Sequence, residues 1–365
     1  MRWAVIVAVV ALVVGVPGAA LAQEAREAHE TRETREAASP AEVCRITDPS
    51  VTEASGLAAL PGGGYLVEND SNPEPRKTRL FYLGPDCKVT RSVGYPTTAR
   101  DPEDLAVARD GTVWIADIGD NSPLTGGSGK RRDTIALWTL APGAKSLKIH
   151  RLRYPDGTPR DAEALLIDGQ GRPVIVTKDP SGDVFRLDTP LPTDNAEGVP
   201  LTSIGRFTAT HSGTSNPFGF LGDGFVTGAA VSPDGTKAVV RTYADAYEFD
   251  VPDGDVAKAI TTGTPRVTPL PDEPQGEAIA YTPDGKDFLT VSDQAGPVSI
   301  LRYTVDRPKP SPSPTPAKAA ESTPGESAVP HESPDRRGKV ALLTGAFVVV
   351  GIGLVAAVAR RARRR

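Results

Sequence analysis

The sequence predicts an all-β fold, a five-bladed β-propeller closed by an N-terminal strand, with one C-terminal transmembrane helix. Three observations carry this expectation. A phrase recurs five times: TEASGLAAL around Glu53, PEDLAVARDG around Glu103, DAEALLIDGQG around Glu163, TGAAVSPDG around Gly228 and QGEAIAYTPDG around Glu277. Each copy has a polar opening, a run of small and apolar residues, a glycine turn and a second apolar run. Such recurrence marks units that bury an apolar face on a neighbour. Secondly, 36 Gly and 35 Pro punctuate short runs rich in Val, Thr and Leu, which favours strands over helices. Thirdly, residues 340–359 carry no charge and are followed at once by Arg360, Arg361, Arg363, Arg364 and Arg365.

In chain order, residues 1–22 carry Arg2, an apolar run over 4–16 and Ala20-Leu21-Ala22. That is the order of a secretory signal peptide cleaved after Ala22. Residues 23–40 are rich in Glu, Arg, Ala and Thr and are expected to form a disordered tail. The propeller is expected over 41–305. Its first blade takes strands at 53–60, 64–68, 78–83 and 88–93, and its second takes 103–108, 112–117, 134–140 and 147–153. The third takes 163–168, 173–178, 183–187 and 201–207, and the fourth 227–232, 237–242, 245–250 and 265–270. The fifth supplies 277–282, 287–292 and 297–304, and segment 43–47 fills its missing place. Pairing both ends in one sheet removes an exposed edge. The long stretch over 188–225 keeps six blades as the alternative.

Cys44 falls on the closing strand and Cys87 in the last turn of the first blade. An even pair in an exported chain is expected to form a disulfide. Residues 306–339 are Pro-rich and read as a semi-rigid spacer. The uncharged segment 340–359 is long enough to span a bilayer core as a helix, and the basic tail 360–365 places its end in the cytoplasm. The expected location is the cell membrane, single-pass, with the propeller outside. The chain's net charge of −5, basic tail included, gives no support to nucleic-acid binding.

In a propeller the strand opening each blade is innermost, so Glu53, Glu103, Glu163 and Glu277 are expected to face one mouth of the channel, with Gly228 interrupting the series. Ends of the second strands add Asn69, Asp70, Asp117, Asp120, Asn121, Lys178, Arg241 and Asp293. Clustered carboxylates raise one another's pKa unless a cation compensates. Hard oxygen ligands suit Ca²⁺, with Glu103, Glu163 and Glu277 as expected ligands. Alternatively, Lys178 and Arg241 neutralise the ring as internal ion pairs.

Other motifs carry less. Gly126-Gly127-Ser128-Gly129-Lys130 lacks the first glycine and the final Ser/Thr of a phosphate loop, having Leu124 and Arg131 there. No GxSxG elbow occurs. Of four histidines, His29 and His331 fall in the tails and His150 on an outer strand, leaving His211 as the exposed candidate for acid–base work.

The phrases Arg100-Asp101-Pro102-Glu103-Asp104-Leu105-Ala106, 116–121, Tyr154-Pro155-Asp156-Gly157 with Asp161-Ala162-Glu163-Ala164-Leu165, and Gln275-Gly276-Glu277-Ala278-Ile279-Ala280 resemble secreted or membrane-anchored actinobacterial propellers of poorly defined function, described as WD40-like or esterase-like. The resemblance covers 53–303. More distantly, the acidic openings are similar to those of calcium-dependent propeller lactonases and phytase-like propellers. That likeness implies a channel metal held by Glu53, Glu103, Glu163 and Glu277, with Asn69 and Asn121 supplying amide oxygens. This chain departs from the lactonase pattern in lacking a channel histidine. The expected function is a non-enzymatic module that binds an envelope ligand or protein through its mouth. The alternative is a Ca²⁺-dependent hydrolase of ester, lactone or phosphate-ester bonds, with Asp117 or Asp120 as base.

Overall fold

A computed structural model describes residues 40–72, 74–120, 131–178, 182–191 and 196–307. The signal segment, the tail at 23–39, the span at 340–359, the basic tail, nearly all of the spacer and Asn121 lie outside these residues. Among the described residues no helix is long and apolar enough to cross a membrane.

Strand β1 (Ala41–Ile46) precedes five units. Blade 1 holds β2 (Ala54–Ala59), β3 (Tyr65–Asn69), β4 (Arg79–Leu83) and β5 (Val89–Gly94). Blade 2 holds β6 (Pro102–Val107), β7 (Val113–Asp117), β8 (Ile135–Leu140) and β9 (Lys148–Arg153). Blade 3 holds β10 (Ala162–Ile167), β11 (Pro173–Thr177), β12 (Asp183–Arg186) and, after the short β13 (Val199–Pro200), β14 (Thr202–Arg206). Blade 4 holds β15 (Val226–Val231), β16 (Lys237–Thr242), β17 (Asp245–Asp250) and β18 (Arg266–Pro269). Blade 5 holds β19 (Gly276–Tyr281), β20 (Phe288–Ser292) and β21 (Val298–Tyr303). Strand β1 completes it, antiparallel to β21 from Ala41↔Arg302 to Ile46↔Val298.

Five sheets therefore stand where five were expected. The stretch that left room for a sixth blade instead supplies β13, which adds to blade 2 in parallel with β9, then β14 and a loop over 207–225. Besides β13, repeat spacing did not anticipate the helix α1 (Val256–Thr262). Asp255 caps it by accepting from the Lys258 N–H, and Val256, Ala257 and Ile260 bury one face on the blade 3–blade 4 core.

The inner strands pack in a closed ring, β2 on β6, β6 on β10, β10 on β15, β15 on β19 and β19 back on β2. Each blade interface has its own apolar cluster. Leu66, Leu80, Leu105 and Trp138 join blades 1 and 2, and Leu137, Leu165 and Phe185 join blades 2 and 3. No single core lies on the axis, which leaves the channel to polar groups.

Cys44 and Cys87 are bonded to each other, with Cα atoms 5.8 Å apart, and tie the closing strand to blade 1 across the seam. The bridge closes a sequence separation of 43 residues. A Cys44→Ser, Cys87→Ser double variant is expected to lose about 2–4 kcal/mol in urea unfolding. A loss under about 1 kcal/mol would mean that β1–β21 pairing and apolar packing hold the seam alone.

Both described ends leave from one face. Inner strands run away from the mouth, so β21 descends and β1 ascends. Arg307 reaches the Lys286 carbonyl in the far turn of blade 5 and the buried Glu248 carboxylate. The mouth is on the opposite face.

Candidate active mouth of the channel

The first hairpin of every blade carries a bulge at the same place. The register shifts between Ala54 and Gly56, Pro102 and Asp104, Ala162 and Ala164, Val226 and Gly228, and Gly276 and Ala278. A bulge adds an unpaired residue and re-aims its side chain. The bulged residues are Ser55, Glu103, Glu163, Thr227 and Glu277, and these form the ring.

Glu103, Glu163 and Glu277 thus face the mouth together. Glu53 does not share their position: it lies two residues before the bulge, equivalent to Asp101, Asp161, Phe225 and Gln275. Ser55 stands in the ring instead, its hydroxyl donating to the Glu103 carbonyl at 2.8 Å. Thr227, rather than Gly228, completes it, with its hydroxyl donating to Gly276 O at 2.8 Å. Gly228 is one level deeper, where a Cβ would come 2.6 Å from the Glu277 carbonyl oxygen, so that position answers to close packing of β15 on β19.

A cavity of about 50 Å³ opens at the ring. Five carboxylates (Asp70, Glu103, Glu163, Glu277 and Asp293) and one ammonium, that of Lys178, line it beside Ser55 and Gln275. Lys178 Nζ lies 2.5 Å from Glu163 Oε1 and 5.7 Å from the centre of the Tyr243 ring. Burial opposes the charge on Lys178, yet Glu163, Tyr243 and Glu277 hold its pKa well above the usual range. Burial pushes Glu163 well above the usual carboxylate range, reinforced by the carboxylates of Glu277 and Asp161 and only partly opposed by the Lys178 ammonium beside it. Glu277 Oε1 accepts from Tyr243 at 3.2 Å and from Gln275 at 3.0 Å, while Oε2 is buried without a hydrogen-bond partner. Gln275 also donates to Asp293 at 2.6 Å.

Two triads of carboxylate oxygens come within 4.8 Å of one another, Asp70–Asp101–Glu103 and Glu103–Asp161–Glu163. Sequence reading missed Asp101 and Asp161. Their signal was present as Asp-x-Glu at 101–103 and 161–163, with Gln-x-Glu at 275–277. Burial is the main force raising Glu103, reinforced by Glu163 and Asp70; burial and then Asp101 raise Asp70.

The remaining candidates are placed elsewhere. Asn69 is a loop clamp: its amide donates to Ser50 O and Lys77 O at 2.9 Å, and its oxygen accepts from Thr52 N. Asp117 accepts from the backbone of Arg100 and Asp101, from Trp138 at 3.2 Å and from Arg132 at 2.7 Å. Asp120 pairs with Arg131 at 2.8 Å and accepts from Arg132 N. These engagements leave neither aspartate arranged as a base. Arg241 does not reach the mouth. It is fully buried between blades 4 and 5, 2.9 Å from Glu273. His211 meets the buried Asp223 carboxylate in the 207–225 loop, and His150 contacts Thr139 at 3.0 Å; neither lines the cavity. A larger groove of about 630 Å³ lies on the outer surface of blades 2 and 3, where Arg160 and Arg206 are paired with Asp156 and Asp183.

Because Glu103 and Asp70 titrate above their unfolded values, the folded protein holds protons that the unfolded chain has released. Stability contributed by these groups is therefore present at low pH and falls as pH rises from the ordinary carboxylate range through the raised values. In chelator, Glu103→Gln is expected to gain stability relative to the parent between about pH 5 and about pH 8, read by urea unfolding at each pH. An unchanged difference would show that Glu103 stays ionised throughout.

No family model matches the chain. A stretch of 79 residues, 21% of this chain, is 29% identical to auxin response factor 17 of Oryza sativa subsp. indica and spans 9% of that protein's length. Among solved structures, the PQQ-bound aldose sugar dehydrogenase of Streptomyces coelicolor aligns at 13% identity over 73% of this chain and 97% of its own, with a TM-score of 0.38. Myxococcus xanthus glutaminyl cyclase aligns at 11% identity over 73% and 97%, with a TM-score of 0.43. A gluconolactonase from Xanthomonas campestris aligns at 14% over 74% and 99%, with a TM-score of 0.36. These overlaps are loose, and the assignment as a propeller rests on the chain's own five sheets.

Proposed function

We propose that the mouth binds a hard divalent cation of the Ca²⁺ type and uses it to hold an oxygen-bearing group of an external ligand, making the chain a cation-dependent binding module of the cell envelope. The observation that carries this reading is the charge imbalance: five carboxylates against one ammonium around about 50 Å³. Unneutralised, such a cluster repels itself, and hard oxygen donors of this kind suit Ca²⁺. The unpartnered Glu277 Oε2 adds an oxygen with unused capacity.

Binding is favoured over hydrolysis by what lines the cavity. The Ser55 hydroxyl is committed to the Glu103 carbonyl, and among the described residues no imidazole lines the cavity. The space admits an ion and a water or a single ligand oxygen, so a ligand would lie across the rim. With 340–359 in the membrane and 306–339 as the spacer, the mouth would face away from the membrane, because the chain leaves the propeller on the opposite face.

The test is calorimetric titration of the full chain in detergent with Ca²⁺, alongside thermal melting. The expected result is saturable binding and a raised melting temperature, both lost on Glu103→Gln. Unaltered melting at millimolar Ca²⁺ would leave a proton-neutralised mouth. Chelator-sensitive turnover of ester, lactone or phosphate-ester substrates would replace binding with the hydrolase alternative.

A further inference from the structure

Given a cation at the mouth, two seats compete for it, and both use Glu103. The first is Asp70, Asp101 and Glu103, between blades 1 and 2; the second is Glu103, Asp161 and Glu163, between blades 2 and 3. We propose that the ion takes the first, off-axis seat, that Gly119 keeps that seat open, and that Lys178 occupies the second as a built-in counter-ion and limits the mouth to one divalent ion.

Lys178 already stands at the second triad. Its ammonium sits 2.5 Å from Glu163 Oε1, so a metal bound in the second triad would have to displace it or lie against a like charge. The ammonium is held there by Tyr243 as well, whose hydroxyl is engaged with Glu277. The second seat is therefore already neutralised from within the chain.

Gly119 marks the first seat. A Cβ at this residue would fall 2.0 Å from Glu103 Oε1 and 2.7 Å from Asp101 Oδ2, so any side chain would fill the space in which those two oxygens converge. The backbone is fixed in that place. Gly119 N donates to the Asp101 carbonyl at 3.1 Å, and the Gly119 carbonyl accepts from Arg132 at 3.0 Å while Arg132 pairs with Asp117 at 2.7 Å. Asp117 thus acts as a support that holds Gly119 against the acidic pair. The residues whose N–H makes the same backbone hydrogen bond in blades 1, 3 and 5 are Asp70, Lys178 and Asp293, whose side chains line the mouth, whereas in blade 2 Gly119 brings no side chain to that place. The seat faces the same cavity as Glu277, whose Oε2 is buried, unpartnered and available to an ion or its water.

This inference rests on the cation-binding reading, and the experiment separates the two. Ca²⁺ is titrated by calorimetry into the full chain and into Asp70→Asn, Asp161→Asn, Gly119→Ala and Lys178→Gln, each first checked for native circular dichroism. The parent is expected to bind one Ca²⁺. Asp70→Asn and Gly119→Ala should each weaken it by about 10–100-fold, and Asp161→Asn by less. Lys178→Gln should raise the stoichiometry to two, and Lys178→Met repeats the test should the glutamine variant fail to fold. A loss on Asp161→Asn equal to or larger than that on Asp70→Asn overturns the seat. One ion in both Lys178 variants overturns the role of the lysine. No binding by the parent instead removes the cation reading itself.

Discussion

Arg241→Ala is expected to destabilise the propeller by about 3–5 kcal/mol, the range for breaking a buried ion pair from one side. Arg241 and Glu273 expose 0% and 1% of their side chains, and their closest atoms are 2.9 Å apart. The guanidinium also donates to Thr242 O at 3.2 Å and to Ala278 O at 3.0 Å, so it stitches β16 to the inner strand of the next blade. Alanine would leave two carbonyls short of a donor and the Glu273 carboxylate buried without its counter-charge, with the Thr290 hydroxyl 2.5 Å away still donating to it. Lysine would not rescue it, because one ammonium cannot reproduce three planar donors. The Arg241→Ala, Glu273→Ala double variant should cost less than the sum of the single variants, since no charge is then stranded. Urea unfolding of all four proteins measures this. A loss below about 1 kcal/mol for Arg241→Ala would show that water enters the blade 4–blade 5 seam and solvates Glu273.

The same arginine shows where sequence reading stops. Period and turn chemistry were enough to place every blade, because four repeats have the same four runs and glycine turn and the fifth, with three, leaves one place for the N-terminal segment. Facing was harder to read. In a strand, side chains alternate between faces, so a shift of one residue reverses a prediction. Arg241 lies one position before the end of β16 and points between blades. Lys178 lies one beyond the end of β11 and reaches the mouth. The bulge adds a further offset that no apolar pattern records: Glu53 and Gly228 align with the other openings by eye, yet Ser55 and Thr227 occupy the ring. Asn69 and Asp117 look like mouth residues because they end second strands, but their side chains turn back to secure the preceding loops. Helix α1 had a legible start in Asp255 and an apolar pair in Val256 and Ile260, hidden inside a connection read only for strands.

Asp104 is the most consequential residue that the repeat pattern concealed, since its counterparts are Gly56, Ala164, Gly228 and Ala278, all small. Its carboxylate lies below the acidic ring and accepts from Leu105 N at 2.8 Å, from Leu165 N in blade 3 at 2.8 Å and from Ala229 N in blade 4 at 3.2 Å. Inner strands have no partner on their channel side, so their N–H groups need an acceptor there, and one fully buried side chain supplies it to three blades. Asp104→Ala would strand three buried donors at about 1–3 kcal/mol each, an expected loss of about 3 kcal/mol or more. Asp104→Asn should cost about a third of that. Its oxygen can still face Leu165 and Ala229, where Oδ2 now sits, while its amide group confronts the single N–H of Leu105. The two variants separate an acceptor role from simple space filling, since alanine and asparagine would differ little if only volume mattered. Asp104 directly follows Glu103 on β6, so the alanine variant should also loosen the carboxylate that both triads share. Cation affinity should then fall together with stability in Asp104→Ala, and hold nearly constant in Asp104→Asn. Equal stabilities for the two variants in urea would mean that water replaces the carboxylate on the channel floor.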